Sequence, residues 1–558
     1  GDTEAYTTAI GYRALYSQNN GTLNNTGIGV NAIKFNVTGT NNTLIGRQAG
    51  NGTSGNSYSN ATAVGFKAGY SLTTGGITAF GYEAGYNSTT GGGVHIGYQA
   101  GYSQTTGGGN VSVGDNALYT NQENVYNVAI GNSALYSLAG SSLDGNVAVG
   151  YEAGRNAQSD TGTIMIGYRA GYRQKGHSSI SIGYEAGLYA GNGQSVHIGR
   201  NAGAGTGTHS NIGVAIGYQA GIRLRAGGSH SHTFVGWRAG FQMSGSNDFF
   251  GYQAGYGSIA VAPYGSGQNN VGIGTNTLYA LSTGNYNTAV GREAGQSITT
   301  GYSNVAIGGN AAQNMTSGYE NVAIGKDAIQ SNSVSGNNNV AVGHDALKGI
   351  SDSYGNVGIG TGAGSFVTHN DLTIAIGYQA GQSIQGADKT IVIGYRAGQT
   401  AIYSNTGGNQ IFIGSEAGQY VGFSNKSTGD NNIFIGAHTG RHITYASQNT
   451  VVGHQAYGRL GGSGQHEVSA SNVTAFGYAA GQYATGSYNT FVGSEAGKGG
   501  TTSAPFSSGT YNTALGYQAL FSHTDGATKN TTVGRRAGYG ITTGDNNVLL
   551  GNDAGFGI

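Results

Sequence analysis

From Asn287 the chain reads NTAVGREAG, and the order polar, branched, small, apolar, glycine returns at Asn304 (NVAIGGNAA), Asn321 (NVAIGKDAI) and Asn339 (NVAVGHDAL). Aligned on the central glycine there are 31 copies, from Gly11 through Gly291 to Gly551, with a commonest interval of 17 residues and a mean of 18. Three places before the glycine stands a β-branched residue in every copy except that of Asp248, and one place before it an apolar residue. Two places before it the residue is usually Ala, and four places before it 18 of the 31 copies carry Asn. Three places after the glycine comes Ala, replaced only at Thr277 and Thr439. Branched, small, branched in succession predicts a short strand, not a helix.

A fixed period of this size predicts an all-β protein, a parallel β-solenoid or β-roll of about 31 coils in which one repeat makes one coil. Stacked strands lie about 4.8 Å apart, so 31 coils imply a rod on the order of 150 Å long. The glycine fits a corner where φ is positive or two backbones meet closely. The Asn column predicts a structural ladder of amides from rung to rung. The chain divides into regular coils over 1–256, an insertion at 257–268, the most regular coils over 269–400, and coils with longer loops over 401–558. Both prolines, Pro263 and Pro505, fall in insertions, as expected of a residue that cannot donate to a ladder.

Alternation along a strand sends successive side chains to opposite faces, and the larger branched columns are expected to point into the coil. With the branched columns inward, Val290, Ile307, Ile324, Ile376 and Ile393 form the core. The middle column then faces outward, with Met165, Phe234, Phe249, Phe412, Phe434 and Phe491 among its Ala residues. Such an apolar stripe needs cover, and identical chains in a homotrimer supply it most simply. The alternative is a wider coil that folds the stripe onto its own second sheet.

The stretches NVAIGNSAL at 127–135, NVAVGYEAG at 146–154 and NTALGYQAL at 512–520 resemble the head repeat of trimeric autotransporter adhesins and of related bacteriophage tail fibres. The resemblance spans nearly the whole chain. It implies a left-handed β-roll, three chains side by side, and an extracellular place on a cell surface or virion.

Composition narrows the chemistry. Charged residues are only 9%, Lys plus Arg balance Asp plus Glu at 24 each, and there is no cysteine. Charge balance gives no basis for expecting nucleic acid or insertion into a membrane, and thiol chemistry is excluded. No cofactor is expected. The start at Gly1 fits a processed or trimmed piece. Twelve copies place Tyr after the glycine, among them Tyr82, Tyr98, Tyr168, Tyr184, Tyr378 and Tyr395, which predicts a ladder of stacked rings shielding a corner, with an aromatic strip for sugars as the alternative. Asp327 and Asp345 fall in adjacent coils, at a spacing of about 5 Å that a retaining glycosidase would use. A solvated corner beside Lys326 and His344 is the preferred reading of the pair. His230 and His232 lack a third ligand.

The insertions break the monotony of the coils, and their contact-prone side chains Tyr264, Arg459, His466, Glu467 and Phe506 are the candidate ligand residues. These features together predict a non-enzymatic fibre or adhesin, a rod presenting adhesive loops to a host-cell glycan or protein. A filament subunit that stacks end to end is the alternative, since the chain ends in repeat register at NNVLLGNDAGFGI. A polysaccharide-degrading spike is a third reading.

Overall fold

A computed structural model describes residues 6–557 apart from 20–22, 139–142, 158–160, 192–193, 206–210, 223–229, 244, 258–264, 332–334, 368–370, 385–387, 401–407, 422–430, 444–445, 459–469 and 500–506. It is an all-parallel β-solenoid. Its 31 short strands run from Thr8–Ile10 to Val548–Leu550, mostly three residues each, and no helix occurs among the described residues. The chain forms two compact units, residues 1–272 and 273–558. Within each unit a strand pairs in parallel with the strand of the next coil, residue for residue. In the second unit Val305, Ala306 and Ile307 lie opposite Val322, Ala323 and Ile324. In the first, Val128, Ala129 and Ile130 lie opposite Val147, Ala148 and Val149. Insertions do not shift this register: Thr450 still faces Thr474. Extra residues leave at the turns, where loop length costs little.

The glycine column is set by contact between coils. Gly308 has φ of +131°, and a Cβ built on it would lie 2.6 Å from the carbonyl oxygen of Gly325. Gly325 stands likewise against Gly343 at 2.4 Å, and in the first unit Gly81 against Gly97 at 2.3 Å. No side chain fits between coils there, and the conformation is one that L residues avoid. The chain then turns tightly, with the amide of Ala311 donating to the carbonyl of Gly308 at 3.3 Å. The residue two places after the glycine enters the left-handed region, as at Glu293 (φ 58°) and Asp327 (φ 57°).

The two faces of the strand are the reverse of the expected ones. Ile307 is 38% exposed, and Val290, Ile324, Ile376 and Ile393 are only partly buried. Met165, Phe234, Phe249, Phe412, Phe434 and Phe491 are fully buried inside the coils and cannot form an oligomer interface. The stripe is covered within the chain, but among the described residues there is one sheet only, and the cover comes from the turn that follows the strand, not from a second sheet. Close approach of the walls is the reason. The middle residue meets the residue four places after the glycine: a Cβ on Gly240 would lie 2.7 Å from the Phe234 ring, and one on Gly497 would lie 2.1 Å from Phe491. Where that wall carries Leu, as at Leu347, the facing strand residue is Gly358, whose Cβ would come within 2.7 Å of it. Ala fills the column because the space is narrow. Volume is traded across the interior, as close packing requires.

The inner wall also uses the seventh place after the glycine, where Leu281, Ile298, Met315, Ile350, Val367 and Ile384 are buried. Opposite them runs the expected Asn ladder. Asn321 donates from both its amide nitrogen (3.0 Å) and its Nδ2 (3.1 Å) to Oδ1 of Asn304, and its Nδ2 also donates to the carbonyl of Gly336 at 2.8 Å. Asn339 repeats the pattern on Asn321. A buried amide satisfied in this way contributes about 1 kcal/mol per bond.

Three interior positions carry His95, His197 and His523, and burial pushes each pKa down to about 4. His95 bonds the Ser112 hydroxyl through Nδ1 at 2.8 Å, while its Nε2 has no partner.

Two predictions follow from this geometry. Gly308→Ala should lower stability by roughly 3 kcal/mol, whereas Gly309→Ala, with no atom within 4 Å of the added Cβ, should stay within about 0.5 kcal/mol. Equal denaturation midpoints would contradict the close-contact account. Acid should also loosen the fold. The unfolded chain takes up protons on these histidines below about pH 6.5, but the folded chain only near pH 4. Stability from their neutral burial is therefore complete above pH 6.5 and falls as pH drops towards 4. Each contributes on the order of 3 kcal/mol. Thermal midpoints between pH 7.5 and 4.5 should fall, and less steeply in His95→Ser.

Candidate functional site

The turn after each strand gathers the surface chemistry. The residue after the glycine points outward, and rings there stack from coil to coil as expected: Tyr82 on Tyr98 at 5.2 Å, Tyr168 on Tyr184 at 4.9 Å, and Tyr378 on Tyr395 at 5.6 Å between centroids. A second ladder, absent from the sequence reading, occupies the fifth place after the glycine. Tyr70, Tyr86, Tyr102, Tyr119 and Tyr136 stack at 4.9–5.1 Å. Its signal in the sequence is the Tyr that opens segments such as YSLTTGG (70–76) and YNSTTGGG (86–93), whose Ser, Thr and Gly residues mark them as turns. Desolvation first, then the Glu83 carboxylate and neighbouring phenols, raise the Tyr102 pKa above its ordinary value.

Between the two tracks lies the row two places after the glycine. The Lys67 ammonium sits 5.2 Å from the Phe66 ring, 5.7 Å from Tyr70 and 5.4 Å from Tyr86. The Arg169 guanidinium sits 5.3 Å from Tyr168 and 5.4 Å from Tyr172. Polar groups along this row pair from rung to rung: Gln99 donates to Glu83 at 2.9 Å, Asn201 to Glu185 at 3.0 Å and Arg169 to Glu152 at 2.6 Å. The Glu152 bond raises the Arg169 pKa. The result is a row of polar side chains flanked by two ladders of aromatic rings.

Asp327 and Asp345 do come together. With His344 they offer ligand atoms within 4.8 Å of one another. Each is already engaged. Asp327 accepts from Asn310 at 2.9 Å and lies 3.6 Å from Lys326, while Asp345 pairs with Lys348 at 2.8 Å and His344 at 3.2 Å. Cations lie beside both carboxylates; Asp345 is partly exposed, as at a solvated corner, whereas Asp327 is buried. An open hollow of about 370 Å³ beside it is lined by Asn314, Gln330, Ser331, Lys348, Gly349, Ser365 and Phe366. His232 is buried and stacks on Phe234 at 4.6 Å, and the His230 side chain lies outside the described residues. So do all five insertion candidates, Tyr264, Arg459, His466, Glu467 and Phe506.

No protein-family model matches the chain, and no curated protein matches its sequence. The fold places it among the β-solenoid repeat proteins. Among the described residues no helix is long and apolar enough to cross a membrane.

Because the Asp345 pairs are half-exposed, Asp345→Asn should change stability by no more than about 1 kcal/mol. A loss of several kcal/mol in chemical denaturation would show that the corner is an anchored site.

Proposed function

We propose that this protein is a non-enzymatic structural fibre or adhesin, a trimeric extracellular rod on a cell surface or virion that holds adhesive surface away from its base. One observation carries the proposal. The outward face of the strands is an apolar band, formed in the second unit by partly exposed rows such as Val305 and Ile307, Val322 and Ile324, Val357 and Ile359, and Ile374 and Ile376. In the first unit Ile96, Ile130 and Ile166 are each exposed in the same column. No charged residue interrupts either column except Asp248. A band repeated on coil after coil exceeds what soluble monomers leave bare, and a second and third copy carry the same band at the same spacing. Repetition favours an isologous or cyclic partner whose coils match rung for rung. The head-repeat motif agrees with three copies. The engaged carboxylates at Asp327 and Asp345 favour a structural role over a hydrolytic one.

Sedimentation equilibrium should return three times the 56.4 kDa chain mass. The triple substitution Ile307→Glu, Ile324→Glu, Ile376→Glu should give a monomer whose circular dichroism spectrum is unchanged. A parent chain that remains a soluble monomer at high concentration would overturn the proposal.

A further inference from the structure

The net charge of zero conceals a strong local imbalance. Residues 151–240 hold eight of the chain's 24 Lys and Arg residues but only three of its 24 Asp and Glu residues. The solenoid brings much of that charge onto the aromatic corner of the first unit. Tyr151, Tyr168 and Tyr184 stack at 5.2 and 4.9 Å. Where the next coil lacks a ring, Arg200 takes its place, 5.2 Å from Tyr184 and 6.0 Å from Tyr218. Stacking resumes from Tyr218 to Trp237 at 5.7 Å and from Trp237 to Tyr252 at 4.8 Å. Arg238 lies 4.4 Å from the Trp237 ring and 5.0 Å from Phe241. Seven consecutive coils thus carry one unbroken aromatic and guanidinium column.

The carboxylates on this corner are committed within the chain. Glu152 is buried and engages both Arg155 and Arg169, and Glu185 accepts from Asn201. Arg173 and Arg200, by contrast, are exposed, and their guanidinium groups have no ion pair among the described residues. What the corner offers outward is therefore positive charge, phenol hydroxyls and amides, repeated at the coil spacing.

We propose that the corner from Tyr151 to Tyr252 is a docking track for an acidic polysaccharide, a glycan bearing carboxylate or sulfate groups and lying along the stacking direction. Guanidinium groups bind such oxyanions through paired N–H donors, and the Tyr hydroxyls both donate and accept towards sugar hydroxyls. Weak contacts in successive coils add up because the polymer engages them together. Single-stranded nucleic acid is the less suitable polyanion. Its bases need open aromatic faces, and here the rings cover one another's faces and present only edges. The track lies on the turn after the strand, apart from the outward strand rows, so it stands or falls independently of the oligomer.

The test is isothermal titration calorimetry on the full chain with polygalacturonate, a sulfated galactan, neutral amylose and polydeoxythymidylate at low and high salt. At least one acidic glycan should bind, more weakly at high salt, with amylose and the oligonucleotide at least about tenfold weaker. Arg173→Gln with Arg200→Gln should weaken that binding by about tenfold. Both side chains are exposed, so the thermal midpoint should hold and report an intact fold. Arg292→Gln with Lys326→Gln, in the second unit, should leave binding unchanged. The proposal fails if neither acidic glycan binds, if amylose binds equally, if the oligonucleotide binds tighter, or if the Arg173 and Arg200 variant binds like the parent.

Discussion

Backbone-to-backbone contact at the glycine column is the constraint on which the rest depends. Each coil approaches the next so closely that a single methyl group at Gly291 would lie 2.6 Å from the carbonyl oxygen of Gly308. That approach keeps the short strands in register, even though three residues make few ladder bonds. It also fixes the turn that follows, so Ala, the left-handed polar residue and the outward ring take the same place in every coil. The ladders of Asn and Tyr are consequences. Side chains from consecutive coils meet because the glycines have already set the separation.

A second consequence is a narrow interior. The buried core is a narrow column in which each coil packs its middle strand residue against the residue four places after the glycine. Phe234 faces Gly240 and Leu347 faces Gly358, so a large side chain on one wall is met by glycine on the other. Left-handed Leu residues such as Leu278 (φ 48°) and Leu347 (φ 47°) carry backbone strain on the order of 1 kcal/mol, offset by the burial of their side chains. His95, His197 and His523 also lie in this interior, and burial holds each of them neutral.

With small residues inside, the branched ones go outside, and the molecule acquires two kinds of surface. The strand face is apolar and monotonous, suited to another copy of itself. The turn face is polar and aromatic, and it varies: Glu83 and Gln99 in one region, Arg169, Arg200 and Arg238 in another. A solenoid can therefore carry local chemistry on its turns without disturbing the contacts that hold the coils in register, because those contacts lie in the glycine, Asn and middle-strand columns.

The sequence by itself determined the repeat, the strand in each copy, the parallel stacking, the need for glycine, the Asn ladder and the first Tyr ladder. All of these follow from spacing, since residues one period apart must become neighbours. It could not determine the phase of the strand. Val305, Ala306 and Ile307 alternate in either orientation, and hydrophobicity favours burying the larger pair. Only the distance between the walls decided the phase: the middle column, Ala306 included, is buried against the residue four places after the glycine, where the space is narrow. The second Tyr ladder and the buried seventh column were hidden for a related reason: their residues sit in Ser-, Thr- and Gly-rich segments that read as turns, and only the path of the coil shows which side chains turn inward. The basic track was hidden by averaging, since a net charge of zero over 558 residues says nothing about which charges the coil brings to one corner.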